Sequence, residues 1–193
     1  MTDSTVSPYT AFAGSKLLAS GPLAEVAVAV KIATGPIADP IIIFDNATGK
    51  SIDIDLRGSH REIIARLPQP VPASEVPAEP RGRGRPKLGV VAREITLLPR
   101  HWDWLAAQPG GASVALRKLV EDARRAHGDR DRARAARDAA YHFMSTMAGN
   151  LPDFEEASRA LFAADRRKFG ELIAGWPVDI RDHIVRLAFA DHS

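Results

Sequence analysis

The chain has 193 residues, 45% hydrophobic and 26% charged, with 26 Lys/Arg against 24 Asp/Glu and no cysteine. That balance excludes a fully disordered chain, and the absence of thiols excludes disulfides, cysteine-ligated zinc, iron–sulfur clusters and thiol catalysis. The first residues lack the basic and apolar regions of a leader, and no apolar run approaches the ~20 residues that span a bilayer, so a cytoplasmic protein with no membrane partner is expected.

Residues 9–67 read as a small α+β unit. Thr10–Ala13 and Lys16–Ala19 are strand-like runs around Gly14-Ser15, the pattern of a hairpin. Pro22 suits the first turn of a helix that runs to about Ala33 and is closed by Gly35. Ile41–Phe44 has the β-branched content of a buried strand, and Asp45–Lys50 is a turn cluster. Ser51 to Leu56 alternates Ile52 and Ile54 with Asp53 and Asp55, the mark of a strand with one wet face. Ser59-His60-Arg61-Glu62 matches a capping box and opens a helix with Ile63, Ile64 and Leu67 inward. The expected order is β-β-α-β-β-α.

Residues 68–89 form a proline-rich basic linker, too proline-dense for a packed element. Beyond it, Val90–Leu98 reads as a strand and Pro99 as the start of a helix. In that helix Leu98, Trp102 and Leu105 form one stripe at i, i+4, i+7, which leaves Trp104 off the stripe, either simply half-buried or facing a partner or interdomain surface. Pro109-Gly110-Gly111 ends the helix. A second begins near Ser113, with Leu116, Leu119, Val120 and Ala123 on its inner face. Residues 129–190 read as a C-terminal helical bundle with breaks at Asn150-Leu151-Pro152 and Gly175-Trp176-Pro177. Arg181 and His183 in the last helix read as a capped or surface pair. The fold class is therefore α+β, followed by helices.

The near-neutral total charge hides an uneven distribution. Residues 1–80 carry a net −3, residues 81–137 hold 14 Lys/Arg against 6 Asp/Glu for +8, and residues 138–193 return to −3. A basic middle between acidic flanks points to a polyanion-facing surface, with the flanks limiting non-specific adhesion. Arg130–Arg137 also fits a solvated helical face with i,i+4 pairs. The start of the block does not, because Arg81, Arg83, Arg85 and Lys87 have no acidic neighbour.

Motifs of catalysis are lacking. Ala47-Thr48-Gly49-Lys50-Ser51 mimics the end of a phosphate-binding loop, but Phe44 stands where that loop needs glycine. Asp45, Asp53 and Asp55 are placed as solvated strand-end carboxylates rather than as a cation site. The six histidines lack metal-ligand spacing. No enzyme, metal or cofactor is expected.

The basic block carries two resemblances. Pro80-Arg81-Gly82-Arg83-Gly84-Arg85-Pro86-Lys87 resembles an AT-hook, an element that lies in the minor groove of A·T-rich DNA. Glycine lets the backbone reach the groove floor, proline keeps it extended, and arginine is drawn by the negative potential of a narrow groove. The strand–helix–glycine turn–helix order of residues 90–126 resembles the ribbon-helix-helix fold of bacterial repressors, in which two copies pair their strands into a ribbon that reads the major groove. The resemblance implies a homodimer, with Ile95 and Leu97 facing the core and Ala92, Glu94 and Thr96 facing DNA. It directs Arg93 inward unless the register slips by one, and it implies a phosphate clamp at Gly111–Ser113.

Across most of its length the chain also resembles the bacterial family of domain of unknown function 2239. The resembling stretches include Phe44–Gly58, Gly84–Leu105 and Met144–Leu187. That resemblance implies a bacterial origin and no activity. The expectation is a DNA-binding protein of the transcriptional-regulator class, with double-stranded A·T-rich DNA as partner. Its contacts are expected at Arg81, Arg83, Gly84, Arg85, Pro86, Lys87, Arg93, Thr96, Gly111 and Ser113. The competing reading is a non-catalytic interaction module whose basic linker serves solubility.

Overall fold

The computed structural model describes residues 7–35, 39–68 and 93–189. It divides into two compact units, residues 1–67 with 129–193, and residues 68–128.

In the larger unit four strands form one antiparallel sheet in the order β2-β1-β3-β4, with β1 Tyr9–Ala13, β2 Lys16–Gly21, β3 Ile41–Asp45 and β4 Lys50–Ile52. Helices α1 (Leu23–Ala33) and α2 (His60–Arg66) complete the expected β-β-α-β-β-α order. Side chains alternate across a strand, and the sheet uses both faces. Ala11 and Ile43, paired in register, point toward Val26 and Val30 of α1. Phe12 and Phe44 point the other way, into a core with Phe143, Phe169, Ile173 and Ile184 from the C-terminal helices. Covering both faces explains the unbroken Ile41–Phe44 run, since a strand with a wet face would alternate. Residues 9–67 and 129–189, read as separate segments of the sequence, thus contribute to one core.

Local chemistry fixes the connections. Ser59 accepts from the Glu62 N–H, while the Glu62 carboxylate accepts from the Ser59 N–H at 2.7 Å, a complete capping box that starts α2. The Ser59 N–H and the Ser59 hydroxyl, at 2.8 Å, both donate to the Glu62 carboxylate and hold it below its ordinary range. Asp55 is held far lower by bidentate bonds from Arg57 and by the nearby Arg66 guanidinium. Asp45 closes its own turn through the Ala47 N–H and the Thr48 hydroxyl. That turn ends at Gly49, with φ +66°, where an added Cβ would lie 1.8 Å from the Ala139 carbonyl oxygen. Only glycine lets the turn approach the helix backbone this closely.

The remaining helices are α3 (Pro99–Ala106), α4 (Gly111–Met147), α5 (Phe154–Phe162), α6 (Arg166–Leu172) and α7 (Val178–Phe189). The breaks expected at Asn150-Leu151-Pro152 and Gly175-Trp176-Pro177 are present. The segments read as 90–126 and 129–190 share one helix, since α4 runs for 37 residues and contains Gly128. Ion pairs one turn apart, Glu121 with Arg124 and Arg125, Asp129 with Arg132, and Asp131 with Arg134, flank that glycine. Each such pair adds about 0.2–0.5 kcal/mol of helix stability, together enough to offset the ~1 kcal/mol that glycine costs.

His183 departs from expectation. It is not a surface partner of Arg181, which bonds Asp182 instead. It is 1% exposed, packed against Phe143 (ring centroids 4.6 Å) and Phe12 (5.4 Å), with no protein partner at either ring nitrogen. Burial, with Arg186 nearby, lowers its pKa from 6.5 to about 4, so the imidazole is neutral near pH 7.

Candidate nucleic-acid interface

In the smaller unit Leu98 is extended (φ −68°, ψ 150°) and hands the chain to α3, whose first residue is Pro99. Proline suits this position because its missing N–H has no role there. Positive φ at Gly110 (+85°) and Gly111 (+74°) turns the chain into α4. At Gly110 a Cβ would press on Val114 at 3.1 Å, so glycine is required on both counts.

Among the described residues of this unit only Leu105 and Ala115 are buried. The stripe expected from Leu98, Trp102 and Leu105 is therefore only partly internal, because Leu98 is 48% and Trp102 40% exposed. Ile95, Trp104, Leu119 and Val120 are exposed as well. The inner face expected on the second helix is half-buried at Leu116 and open from Leu119 to Val120 and at Ala123. The short α3, the first part of α4 and an extended segment offer too few surfaces to cover these side chains within one chain.

The strand expected over Val90–Leu98 is not a strand across residues 93–98. A strand is completed by ladder hydrogen bonds, and among the described residues no other strand pairs with this segment. Arg93, Glu94, Ile95 and Thr96 are all exposed, so the in/out alternation expected of Ile95 against Thr96 is absent from the single chain.

The arm residues Arg81, Arg83, Gly84, Arg85, Pro86 and Lys87 lie outside the described residues, as does most of the linker. Of the expected clamp, the Gly111 N–H donates to the Gln108 carbonyl at 2.9 Å, so it is already engaged. Ser113 is exposed, and its carbonyl accepts from Arg117 Nε at 3.1 Å. No acidic residue lies in the first turn of α4, which leaves the positive end of the helix dipole uncompensated there. Arg93, Arg100, Arg117 and Lys118 have no carboxylate partner among the described residues, whereas Arg124 and Arg125 share Glu121. Among the described residues of the unit, these cations lie along its extended segment and in the first turns of its helices.

Sequence patterning located the basic segment but not the exposure of its apolar residues. The exposure depends on what covers a helix face, and periodicity reports only that such a face exists. The family model for an uncharacterized protein conserved in bacteria (DUF2239) matches residues 8–188. No curated protein and no solved structure matches the chain.

Proposed function

The chain belongs to DUF2239, a family of uncharacterised proteins conserved in bacteria; we propose that it acts there as a double-stranded DNA-binding protein that works as a homodimer through residues 90–126. The observation that carries this reading is the net +8 of residues 81–137, set between flanks of −3 each. The Arg81–Lys87 arm tracks an A·T-rich minor groove, and Arg93 and Thr96 lie on the exposed segment that follows it. Ser113, in the uncompensated first turn of α4, approaches the phosphate backbone. The exposed Ile95, Leu98, Leu119 and Val120 support the dimer, since ribbon-helix-helix units bury such residues only against a second copy.

The test is fluorescence anisotropy on A·T-rich and G·C-rich duplexes across a salt series. The expected result is a steep salt dependence with A·T preference. Arg83→Ala with Arg85→Ala reduces the A·T preference and lowers the salt slope by about 2, roughly one per charge removed. Absence of binding at ~50 mM salt overturns the reading and leaves the interaction module. A stable monomer in sedimentation removes the dimer.

A further inference from the structure

Two separate apolar clusters hold the sheet of the larger unit, one on each face. Ala11, Val26, Val30 and Ile43 form the cluster under α1, and among the described residues none of α4–α7 belongs to it. Phe12, Phe44, Phe143, Ile180, Ile184 and Leu187 belong to the other, which takes in the apolar side of α7. α7 can therefore leave the second cluster without breaking a contact of the first.

α7 is anchored at its start and sealed in its middle. Ahead of it the Trp176 indole N–H donates to the Pro152 carbonyl at 2.9 Å, and Gly175 and Pro177 bracket that anchor. In its first turn the Asp179 carboxylate accepts from the Leu17 N–H of β2 at 2.9 Å. Among the described residues this is the one hydrogen bond between α7 and the sheet. His183 lies one turn further on.

His183 is the weak point of the seal. Its ring meets Phe143 of α4 and Phe12 of β1, and neither nitrogen has a hydrogen-bond partner among the described residues. A neutral ring bears this at some cost. An imidazolium would carry two N–H donors and a charge with nothing to receive them.

The surroundings offer it no counter-charge. β1 has no charged residue, and its one titratable group, Tyr9, packs with the cluster under α1. β3, α5 and α6 reach the same cluster as His183 with Phe44, Leu161 and Phe169. Lys16 of β2 is exposed, as is His142 beside Phe143 on α4. On α7 itself Asp179 and Asp182 are engaged by Leu17 and Arg181, and Arg186, one turn on, repels a second positive charge. Phenylalanine rings attract a cation too weakly to offset such desolvation. Burial, with Arg186, accordingly lowers the His183 pKa from 6.5 to about 4.

We infer that α7 is an acid-released strap: protonation of His183 frees it from the helical face of the sheet, about the break at Gly175-Trp176-Pro177, while the cluster under α1 stays closed. The open state binds a proton that the closed state refuses, because only there does the imidazolium meet water. Release is therefore suppressed above pH 6.5 and grows easier as pH falls toward 4. The strap lies wholly within the larger unit and does not rest on DNA binding.

The experiment is amide hydrogen exchange of the full chain at pH 7.5 and pH 5, corrected for the intrinsic pH dependence of exchange. The expected result is a loss of protection of about thirtyfold at residues 184–188, the ratio that a shift from 6.5 to about 4 gives between these two conditions. Protection of residues 26–30 in α1 should change by less than about twofold. His183→Leu, which keeps an apolar side chain in the seal, should abolish the loss at residues 184–188. A second measurement needs no variant: the ring-proton shifts of His183 in the wild-type chain should stay at their neutral position down to pH 5. Equal losses on both faces, no loss at residues 184–188, the same loss in His183→Leu, or an imidazole that protonates near pH 6.5 with α7 still protected would each overturn the inference.

Discussion

The two units solve the problem of apolar surface in opposite ways. The larger one closes on itself: Phe12, Phe44, Phe143, Phe169, Leu161 and Ile184 are fully buried, and the sheet is covered on both faces. The smaller one buries Leu105 and Ala115 and exposes Ile95, Leu98, Trp102, Trp104, Leu119 and Val120 among its described residues. Chain economy explains the contrast. A sheet flanked by helices from both ends of the sequence has enough layers to enclose a core, whereas a strand-like segment and two helix faces do not. Under the proposed pairing, Arg93, Arg100, Arg117 and Lys118, which have no carboxylate partner among the described residues, would give the pair a positive charge. The lesson is that one chain can enclose the apolar residues of one unit and leave those of the other open.

The contrast can be broken most forcefully in the closed unit. Phe143→Ala empties the point where Phe12, Phe44 and His183 meet, with an expected loss of about 3–5 kcal/mol in denaturant unfolding. Trp104→Ala, at 52% exposure, should change the stability of the single chain by well under half as much. Equal losses at the two positions would contradict the contrast.

Acid probes the same core. The pKa of His183 falls from 6.5 to about 4 on folding, so the unfolded chain takes up a proton that the folded chain resists. Stability is therefore full above pH 6.5 and declines as pH falls toward 4, by about 3 kcal/mol in all. Glu62 and Asp55, whose values are lowered, lose their contribution only below the ordinary carboxylate range, so the window from 4.5 to 6.5 isolates the histidine. His183→Leu should flatten that part of the unfolding-versus-pH curve; an unchanged slope would show that the imidazole titrates freely.

The open unit is tested by charge. Val120→Glu, at 63% exposure, should leave thermal unfolding of the larger unit unchanged while weakening self-association about tenfold or more in sedimentation velocity. Unaltered association would place the contact elsewhere. A smaller effect is expected at the capping box, where Ser59→Ala should cost about 1 kcal/mol. Smallest is Gly128→Ala, which should raise stability by about 0.5–1 kcal/mol if α4 is continuous in solution. A loss there would indicate a helix break at that glycine.

Much of the fold was legible before the structure. The hairpin around Gly14-Ser15, the helix after Pro22, the capping box at Ser59 and the breaks at Pro152 and Pro177 are all encoded within a few residues. The candidate interface was legible in part, because a run of arginines between glycines and prolines is a local pattern. The seal around His183 was not, since only packing sets that residue between β1 and α4. Asn46 reads as one more turn residue, and its buried contacts come from Ser7 and Thr10, which β1 brings beside it from 39 and 36 residues away. Arg132 reads as part of a solvated helical face, and only packing sets it beside Arg186 along one cavity.

The sequence by itself determined the α+β class, the order of elements and the place of the charge, since caps, turns, periodicity and charge act over one or two helical turns. Tertiary structure decided that the first and last thirds of the chain share a core, and that His183 is sealed between Phe12 and Phe143. It also decided that α4 runs through Gly128, and that the apolar faces of the middle segment stay open. Burial is the common reason. It depends on which distant residues arrive to exclude water, and no local pattern carries that information.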